Sequence, residues 1–171
     1  MRIGVVHNRI GGMAIIVEVD ESKFGHRKYN RGFPVEGWWV KGDVERTNEA
    51  RMFAVCVDNR NADTIQNVLT SVIIPGTRYM LIVDKDILRG KCWLMGFIGT
   101  LWSIPITMYN LKAGVHINTI EATWGAMKRA IPNRDYTIAN IQDKLNEFMW
   151  CRRYVNDLWG RLIHIIGQFA N

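Results

Sequence analysis

The fold is decided by residues 13–20, which read Met13-Ala-Ile-Ile-Val-Glu-Val-Asp20. β-Branched residues dominate this stretch, and such residues favour strands. Because side chains alternate between the two faces of a strand, Ile16, Glu18 and Asp20 share one face. We therefore predict a first strand that ends at Asp20, with the polar residues Glu21 to Gly37 following it as a loop or hairpin.

Alternating and helical patterns predict further elements on the C-terminal side of this strand. The predicted strands are Trp38–Val44, Met52–Val57 and Tyr79–Val83. The predicted helices are one that begins at Ala62 or Asp63 and stops at Pro75, then Asn118–Ala130, Thr137–Tyr154 and a largely buried Leu158–Phe169. Three strands, a helix, a strand and then helices indicate an α/β fold, a mixed sheet flanked by helices.

Composition limits the class of protein. The chain has 171 residues, a formal net charge of +6 and 48% hydrophobic residues, which is typical of one globular domain. The basic balance favours nucleic acid or an anionic membrane surface as a partner. Three cysteines without a C-x-x-C pair argue against a disulfide framework or a structural zinc site.

Residues 92–111 form a run of twenty uncharged residues, about the length of a bilayer span. The run is interrupted by five residues that are small, polar or proline: Gly96, Gly99, Ser103, Pro105 and Asn110. These breaks favour buried core over a membrane span, and we expect no membrane association. A small membrane protein anchored by this segment remains the less favoured reading.

Three acids could share one metal site. Asp20 and Asp84 follow predicted strands, where ligands of open α/β sheets bind, and Glu121 lies on a predicted helix beside them. Converging carboxylates favour Mg²⁺ or Mn²⁺, which can activate a nucleophile for phosphodiester cleavage. By spacing alone, solvated turn residues are the better explanation for these acids, because most Asp residues at strand ends are of that kind.

Three blocks of sequence carry a family resemblance. They are Val17-Glu-Val-Asp-Glu-Ser-Lys-Phe-Gly25, Gly114-Val-His-Ile-Asn-Thr-Ile-Glu-Ala-Thr-Trp-Gly-Ala-Met-Lys-Arg129 and Glu147-Phe-Met-Trp-Cys-Arg-Arg-Tyr154. Together they resemble the ISXO-type insertion-sequence transposases and their eukaryotic Merlin relatives. The resemblance covers most of residues 13–156 and implies a ribonuclease-H-like fold with DDE-type catalysis.

The resemblance also implies site residues. Asp20 matches the first acid of the family set, and Glu121 matches the third, with Asn118 as the competing assignment. Lys128 follows Glu121 by seven residues, two helical turns on the same face, where its amine could hold a DNA phosphate. Asp20, Asp84 and Glu121 would then hold Mg²⁺ or Mn²⁺.

The second acid is where the sequence departs from the family. Asp84 fits by spacing, with 36 residues between it and Glu121, and Asp86 is two residues closer, but the residues around them do not match the family motif. Two compensating frame changes, near residues 80 and 110, would explain both the lost motif and the uncharged run. Translation of the other reading frames over this interval tests this hypothesis: it fails if neither frame contains the family's Asp-Cys-Trp and Asn-His-Ser type blocks.

A basic segment follows the first predicted strand. Lys23, Arg27, Lys28 and Arg31 could grip DNA phosphates, and the alternative is a solvated hairpin. The block His26-Arg-Lys-Tyr-Asn-Arg-Gly32 also resembles the family, and this match favours DNA contact.

These features lead to one functional interpretation. We expect residues 13–156 to form a DNA transposase catalytic domain, residues 157–171 to form a helical extension, and an N-terminal DNA-binding region to be absent. The expected partners are transposon and target DNA and a homo-oligomer, inside the cell and on DNA. The alternative is a non-catalytic, transposon-derived DNA-binding or interaction protein, such as a degenerate copy.

Overall fold

The computed structural model describes residues 9–25, 37–59, 62–81, 118–137 and 139–169. Its elements in chain order are the strands β1 (Ile16–Phe24), β2 (Trp38–Glu45) and β3 (Met52–Val57), the helix α1 (Ala62–Val72), the strand β4 (Arg78–Leu81), and the helices α2 (Asn118–Ala130), α3 (Ile141–Arg153) and α4 (Leu158–Phe169). A 3₁₀ turn at Asn133–Asp135 precedes α3. The predicted order of strands and helices is confirmed over these residues.

The four strands form one mixed sheet in the order β3-β2-β1-β4. β2 is antiparallel to both of its neighbours, with Gly42 opposite Asp20 on β1 and opposite Ala54 on β3. β4 lies parallel to β1, with Tyr79 opposite Val17. The predicted meander followed by a helix and a parallel strand is therefore confirmed.

The strand β1 is longer than predicted. Its pairing with β2 continues beyond Asp20, through Ser22 opposite Val40 to Phe24 opposite Trp38. The buried Phe24 ring stabilises this extension, because it packs edge-on against the rings of Trp124 and Tyr136 at centroid distances of 5.9 and 5.5 Å. Asp20 thus lies in the middle of β1, and the prediction that it ends the strand is wrong.

Each face of the sheet covers its own apolar cluster. The α1 side buries Ile10, Val17, Val19, Leu69, Val72 and Ile73. The side of α2 and α3 buries a larger set: Phe24, Val40, Val44, Ala54, Ile120, Trp124, Met127, Ile131, Tyr136, Ile141 and Leu145. Alternation along β1 assigns Glu18, Asp20 and Ser22 to the α2 side, and the prediction that Glu18 and Asp20 share one face is confirmed.

Helix α3 covers the outer edge of the sheet. Backbone N–H groups of β3 donate to two of its side chains: Cys56 to Gln142 Oε1 at 2.9 Å, and Ala54 to Met149 Sδ at 3.1 Å. Its apolar residues Ile141 and Leu145, about one helical turn apart, are buried in the cluster on this side of the sheet. The helix begins at Ile141 and not at Thr137, because the carbonyl of Thr137 accepts the backbone N–H groups of Asn140 and Ile141 in a turn that precedes the helix.

Helix α4 has its predicted bounds, but its predicted burial is wrong. Trp159, Ile163 and Ile166 are 76%, 67% and 58% exposed. The helical spacing of apolar residues predicts an amphipathic helix. It does not predict whether other residues cover the apolar face, and the described part of the chain leaves this one exposed.

None of the helices in the described part of the chain combines the length and the hydropathy that a membrane span requires. Residues 92–111, the candidate span of the sequence, lie outside the described ranges.

Candidate functional site on strand β1 and helix α2

Three side-chain contacts join β1 to α2 at regular intervals. Glu18 accepts a hydrogen bond from the backbone N–H of Ile120 at 2.8 Å, Asp20 from the Trp124 indole at 3.0 Å, and Ser22 from the Lys128 amine at 2.7 Å. Each step is two residues on the strand and four on the helix. Two strand residues span about 6.7 Å and four helical residues about 6.0 Å, so the two elements stay in step over three contacts. We call this set the β1–α2 ladder.

Asp20 is the acid at the centre of the ladder, and it is half-buried. Burial raises its pKa above the ordinary value, and the negative charges of Glu21 and Glu121 raise it further. Hydrogen bonds from the Glu21 backbone and from Trp124 act in the opposite direction and favour the carboxylate. Desolvation and neighbouring negative charge are the conditions that a bound cation relieves.

Trp124 reaches Asp20 because the neighbouring strand carries a glycine. Gly42 lies opposite Asp20, and a Cβ on Gly42 would lie only 2.7 Å from Cζ2 of the Trp124 ring. The ring therefore needs a residue without a side chain beneath it. Trp124 belongs to the apolar core on this side of the sheet and also donates a hydrogen bond to the candidate catalytic acid.

Glu121 lies on the exposed side of the first turn of α2. It is close enough to Asp20 for its charge to raise the pKa of that carboxyl. Asn118, the competing residue for this role, is the first residue of the same helix and is also exposed. Because residues three apart on a helix share a face, the two candidates lie on neighbouring positions of one surface.

Lys128 lies at the far end of the ladder. Its amine donates to Ser22 and sits 5.3 Å from the centroid of the Phe24 ring. Partial burial lowers the pKa of Lys128, and the charge of Asp20 opposes this effect. The structure thus brings three predicted residues, Asp20, Glu121 and Lys128, to one surface.

Of the remaining predicted residues, the structure describes Lys23, which lies away from this surface. Lys23 belongs to β1, but alternation places it on the opposite face from Asp20, where its amine lies 5.8 Å from the Trp39 ring centroid. Asp84, Arg27, Lys28 and Arg31 lie outside the described residues. Their roles remain predictions.

Sequence reasoning missed the groups that hold the site in place. Glu18 is fully buried, pairs with Arg46 and binds the start of α2. The sequence did contain a signal for this role: Glu18 lies two residues before Asp20 on the same face of the strand. A carboxylate buried at such a position must be paired and hydrogen-bonded. Gly42 gave no signal of its contact with Trp124, since the two residues are distant in sequence.

The donor chemistry of the site fits a hard divalent cation. Asp20 and Glu121 offer carboxylate oxygens, the ligands that Mg²⁺ and Mn²⁺ favour. Within the described ranges, no group of three or more His, Cys, Asp or Glu residues could hold a metal ion. A third ligand from Asp84 would come from a part of the chain that the structure does not describe.

Solved structures similar to this chain include a retroviral intasome and a retroviral integrase catalytic core domain. The first is the simian T-cell lymphotropic virus intasome in complex with PP2A regulatory subunit B56 gamma, with a TM-score of 0.56 and 12% identity over 84% of this chain. The second is the HTLV-2 integrase catalytic core domain in complex with magnesium, with a TM-score of 0.52 and 16% identity over 80% of this chain and 83% of that one. This chain spans half the length of the chain it matches in the intasome.

Neither family models nor curated proteins match the sequence. At such low identity, the structural likeness speaks for the fold alone. The chain therefore has a mixed α/β fold similar to that of retroviral integrase catalytic cores, which is consistent with a ribonuclease-H-like fold.

Proposed function

We propose that this chain is the catalytic domain of a DNA transposase of the ISXO/Merlin type. It would hydrolyse a DNA strand at the end of a mobile element, and the freed 3′-hydroxyl would attack target DNA. The observation that carries the proposal is the meeting of Asp20, Glu121 and Lys128 along the β1–α2 ladder. The likeness to integrase cores, one of them determined with magnesium, supports it.

Asp20 and Glu121, together with Asp84, would hold Mg²⁺ or Mn²⁺. The bound ion would supply activation of the attacking oxygen and stabilisation of the leaving oxygen. The protein keeps Asp20 in position for this role through the hydrogen bond from Trp124. The negative charge of Glu121 beside Asp20 is a cost that such an ion would offset.

Lys128 would contact a DNA phosphate next to the scissile bond. An ammonium group is a strong donor to phosphate oxygens, and Lys128 is exposed at the end of the ladder nearest Phe24. Lys23, Arg27, Lys28 and Arg31 would bind the DNA backbone elsewhere, in keeping with the net charge of +6. A homo-oligomer on DNA is part of this proposal.

The test is nicking of a DNA duplex in Mg²⁺ or Mn²⁺ by the wild type and by Asp20→Ala, Asp84→Ala and Glu121→Ala. Asp143→Ala is the matched control, since Asp143, like Glu121, is an exposed acid in the first turn of a helix. We expect nicking to disappear in the three site variants and to persist in the control.

Each departure from this result has a defined meaning. Persistent nicking in Asp84→Ala alone rejects Asp84 as the second acid. Persistent nicking in Glu121→Ala, with loss in Asn118→Ala, assigns the third position to Asn118. DNA binding by the wild type without metal-dependent nicking rejects the catalytic proposal and selects the non-catalytic DNA-binding alternative.

A further inference from the structure

Glu18 is a buried carboxylate for which the proposed chemistry has no direct use. Its side chain is 0% exposed, although a buried charge is costly unless it is paired and hydrogen-bonded. Glu18 lies two residues before Asp20 on the same face of β1. The strand therefore presents two acids toward α2, one beneath the start of the helix and one at the candidate site.

Both oxygens of Glu18 have partners. Oε1 pairs with the Arg46 guanidinium, and Oε2 accepts the backbone N–H of Ile120 at 2.8 Å. Arg46 is itself fixed to the sheet, because its backbone N–H donates to the carbonyl of Ile16 at 2.8 Å. Glu18 thus connects the sheet to the first turn of α2.

The contact with Ile120 satisfies a helical N–H that has no partner within the helix. Ile120 is the third residue of α2, and the first four N–H groups of a helix lack an intrahelical acceptor. A carboxylate is also favoured there by the positive end of the helix dipole. This cap comes from a strand, so it fixes the position of the helix as well as its first turn.

We infer that Glu18 is a positioning residue for the candidate metal site: by holding the N–H of Ile120, it sets the place of α2 on β1 and so holds Glu121 beside Asp20. Glu121 follows Ile120 directly in the chain, and Trp124, which binds Asp20, follows one turn later. The effect of Glu18 on metal binding rests on the proposed function. Its effect on the position of α2 rests on the hydrogen bonds to Ile120 and Asp20 alone. Glu18 itself acts through the helix and does not contact the metal.

A matched control lies on the other face of the same sheet. Glu45 ends β2, is 1% exposed, pairs with Arg51 at 2.8 Å and accepts the backbone N–H of Gly11. The two arginines are equally accessible, Arg46 being 29% and Arg51 31% exposed. Glu45 pairs with Val17, which belongs to the apolar cluster on the α1 side, so Glu45 faces away from α2. Like Glu18, it is a buried glutamate with one arginine and one backbone N–H as partners.

The experiment compares Glu18→Met with Glu45→Met, which remove both acceptor oxygens while keeping an apolar side chain of similar length. Hydrogen exchange at the Ile120 amide and the Trp124 indole is followed by NMR, and Mn²⁺ affinity is measured by titration. We expect both variants to lose stability. Glu18→Met alone should speed exchange at both positions beyond the general loss of stability, and should weaken Mn²⁺ binding about 10- to 100-fold, as loss of an orienting outer partner does.

Glu18→Gln keeps one acceptor oxygen and supplies the gentler variant if the methionine variant does not fold. Its Mn²⁺ affinity should fall between those of the wild type and Glu18→Met. Equal effects of the Glu18 and Glu45 variants on Mn²⁺ affinity would overturn the inference, since general destabilisation would then explain them. Unchanged Mn²⁺ affinity in both Glu18 variants would also overturn it and leave Glu18 as a helix cap only.

Failure of the proposed function has a different signature. In that case the wild type binds no Mn²⁺ in an Asp20-dependent manner. The positioning role is then decided by exchange at the Trp124 indole, which reports the approach of α2 to Asp20 without metal. Faster exchange in Glu18→Met than in Glu45→Met supports that role, and equal exchange rejects it.

Discussion

Trp124 lies across Gly42 and donates from its indole Nε1 to Asp20, the residue paired with Gly42 on the neighbouring strand. One side chain therefore links the helix α2 to two adjacent strands. The absence of a Cβ at Gly42 is what lets the ring come so close. A small residue in the sheet thus controls the environment of the candidate catalytic acid.

Gly42→Ala should displace Trp124 and lower both stability and nicking. Overpacking of a tight core costs about 1–3 kcal/mol, and the displaced indole would lose its bond to Asp20. Denaturant unfolding and a nicking assay check this. Gly167→Ala on α4 is the control: among the described residues, no atom beyond the adjoining backbone of its own helix lies within 4 Å of a Cβ there, and alanine is more stable than glycine within a helix by about 0.5–1 kcal/mol. An equally stable Gly42→Ala protein would contradict the close contact.

Trp124→Phe should move the acid limb of the pH–rate profile of nicking to higher pH. The indole hydrogen bond lowers the pKa of Asp20, so its removal lets burial raise that pKa further. At a given pH below neutrality, a smaller fraction of Asp20 is then ionised. Trp150→Phe, on α3 against Tyr154, provides a control that should leave the acid limb in place. An unmoved acid limb in Trp124→Phe would speak against Asp20 as the titrating group.

Asp20→Asn should abolish nicking and yet stabilise the protein at neutral pH. The pKa of Asp20 is raised in the folded state, so ionisation is less favourable in the folded protein than in the unfolded chain. Stability is therefore lost as pH rises from the ordinary pKa of 3.8 through the raised folded value, and stays lost above it. The asparagine avoids this loss and can still accept the Trp124 hydrogen bond.

Thermal unfolding across pH checks the sign of this effect. The melting temperature of Asp20→Asn should exceed that of the wild type at pH 7, and the two should converge as pH falls toward 3.8. A less stable asparagine variant at pH 7 would show that the carboxylate contributes favourable contacts that outweigh its burial.

Lys128→Met should weaken DNA binding and reduce its dependence on salt. Loss of one phosphate contact lowers the slope of log affinity against log salt by about 1. The methionine removes the charge that lies over the Phe24 ring and keeps an apolar side chain of similar length. Lys144→Met is the control, because Lys144 pairs with Glu147 at 2.8 Å on α3. Equal salt slopes for the wild type and Lys128→Met would exclude a phosphate contact by Lys128.

The features predicted correctly from the sequence are those that the periodic spacing of apolar residues indicates, namely the face of a strand and the bounds of a helix. The alternation of Ile16, Glu18 and Asp20 gave the correct face of β1, and the apolar stripe of α2 gave its bounds, Asn118–Ala130. Pairing of Asp20 and Glu121 came from the family resemblance, because nothing local relates residues so far apart in sequence. The continuation of β1 to Phe24 depends on pairing with β2, which the polar composition of Glu21 to Lys23 concealed.

The ladder itself was beyond sequence reasoning. Two of its donors are a backbone N–H at Ile120 and an indole that also belongs to the apolar core, and neither group is marked by residue type as a partner for an acid. The exposure of α4 was missed for a related reason. An amphipathic pattern states that a face is apolar, while the surroundings decide whether Trp159 and Ile163 are covered.

Gln142→Leu should make the protein more prone to aggregate. The N–H of Cys56 points outward from β3 and now donates to the Gln142 side chain. With leucine it loses that acceptor, and an outward N–H on a sheet edge is a template for another strand. Light scattering at rising protein concentration checks this, with Gln168→Leu on the exposed α4 as the control. Equal scattering by the two variants would show that the edge is protected by other means.

The contacts of α3 with β3 therefore have a consequence for solubility. Gln142 and Met149 accept the outward backbone N–H groups of Cys56 and Ala54. These N–H groups of the edge strand β3 therefore cannot pair with a strand of a neighbouring molecule. A helix that is held in place by its buried Ile141 and Leu145 thereby keeps concentrated chains apart.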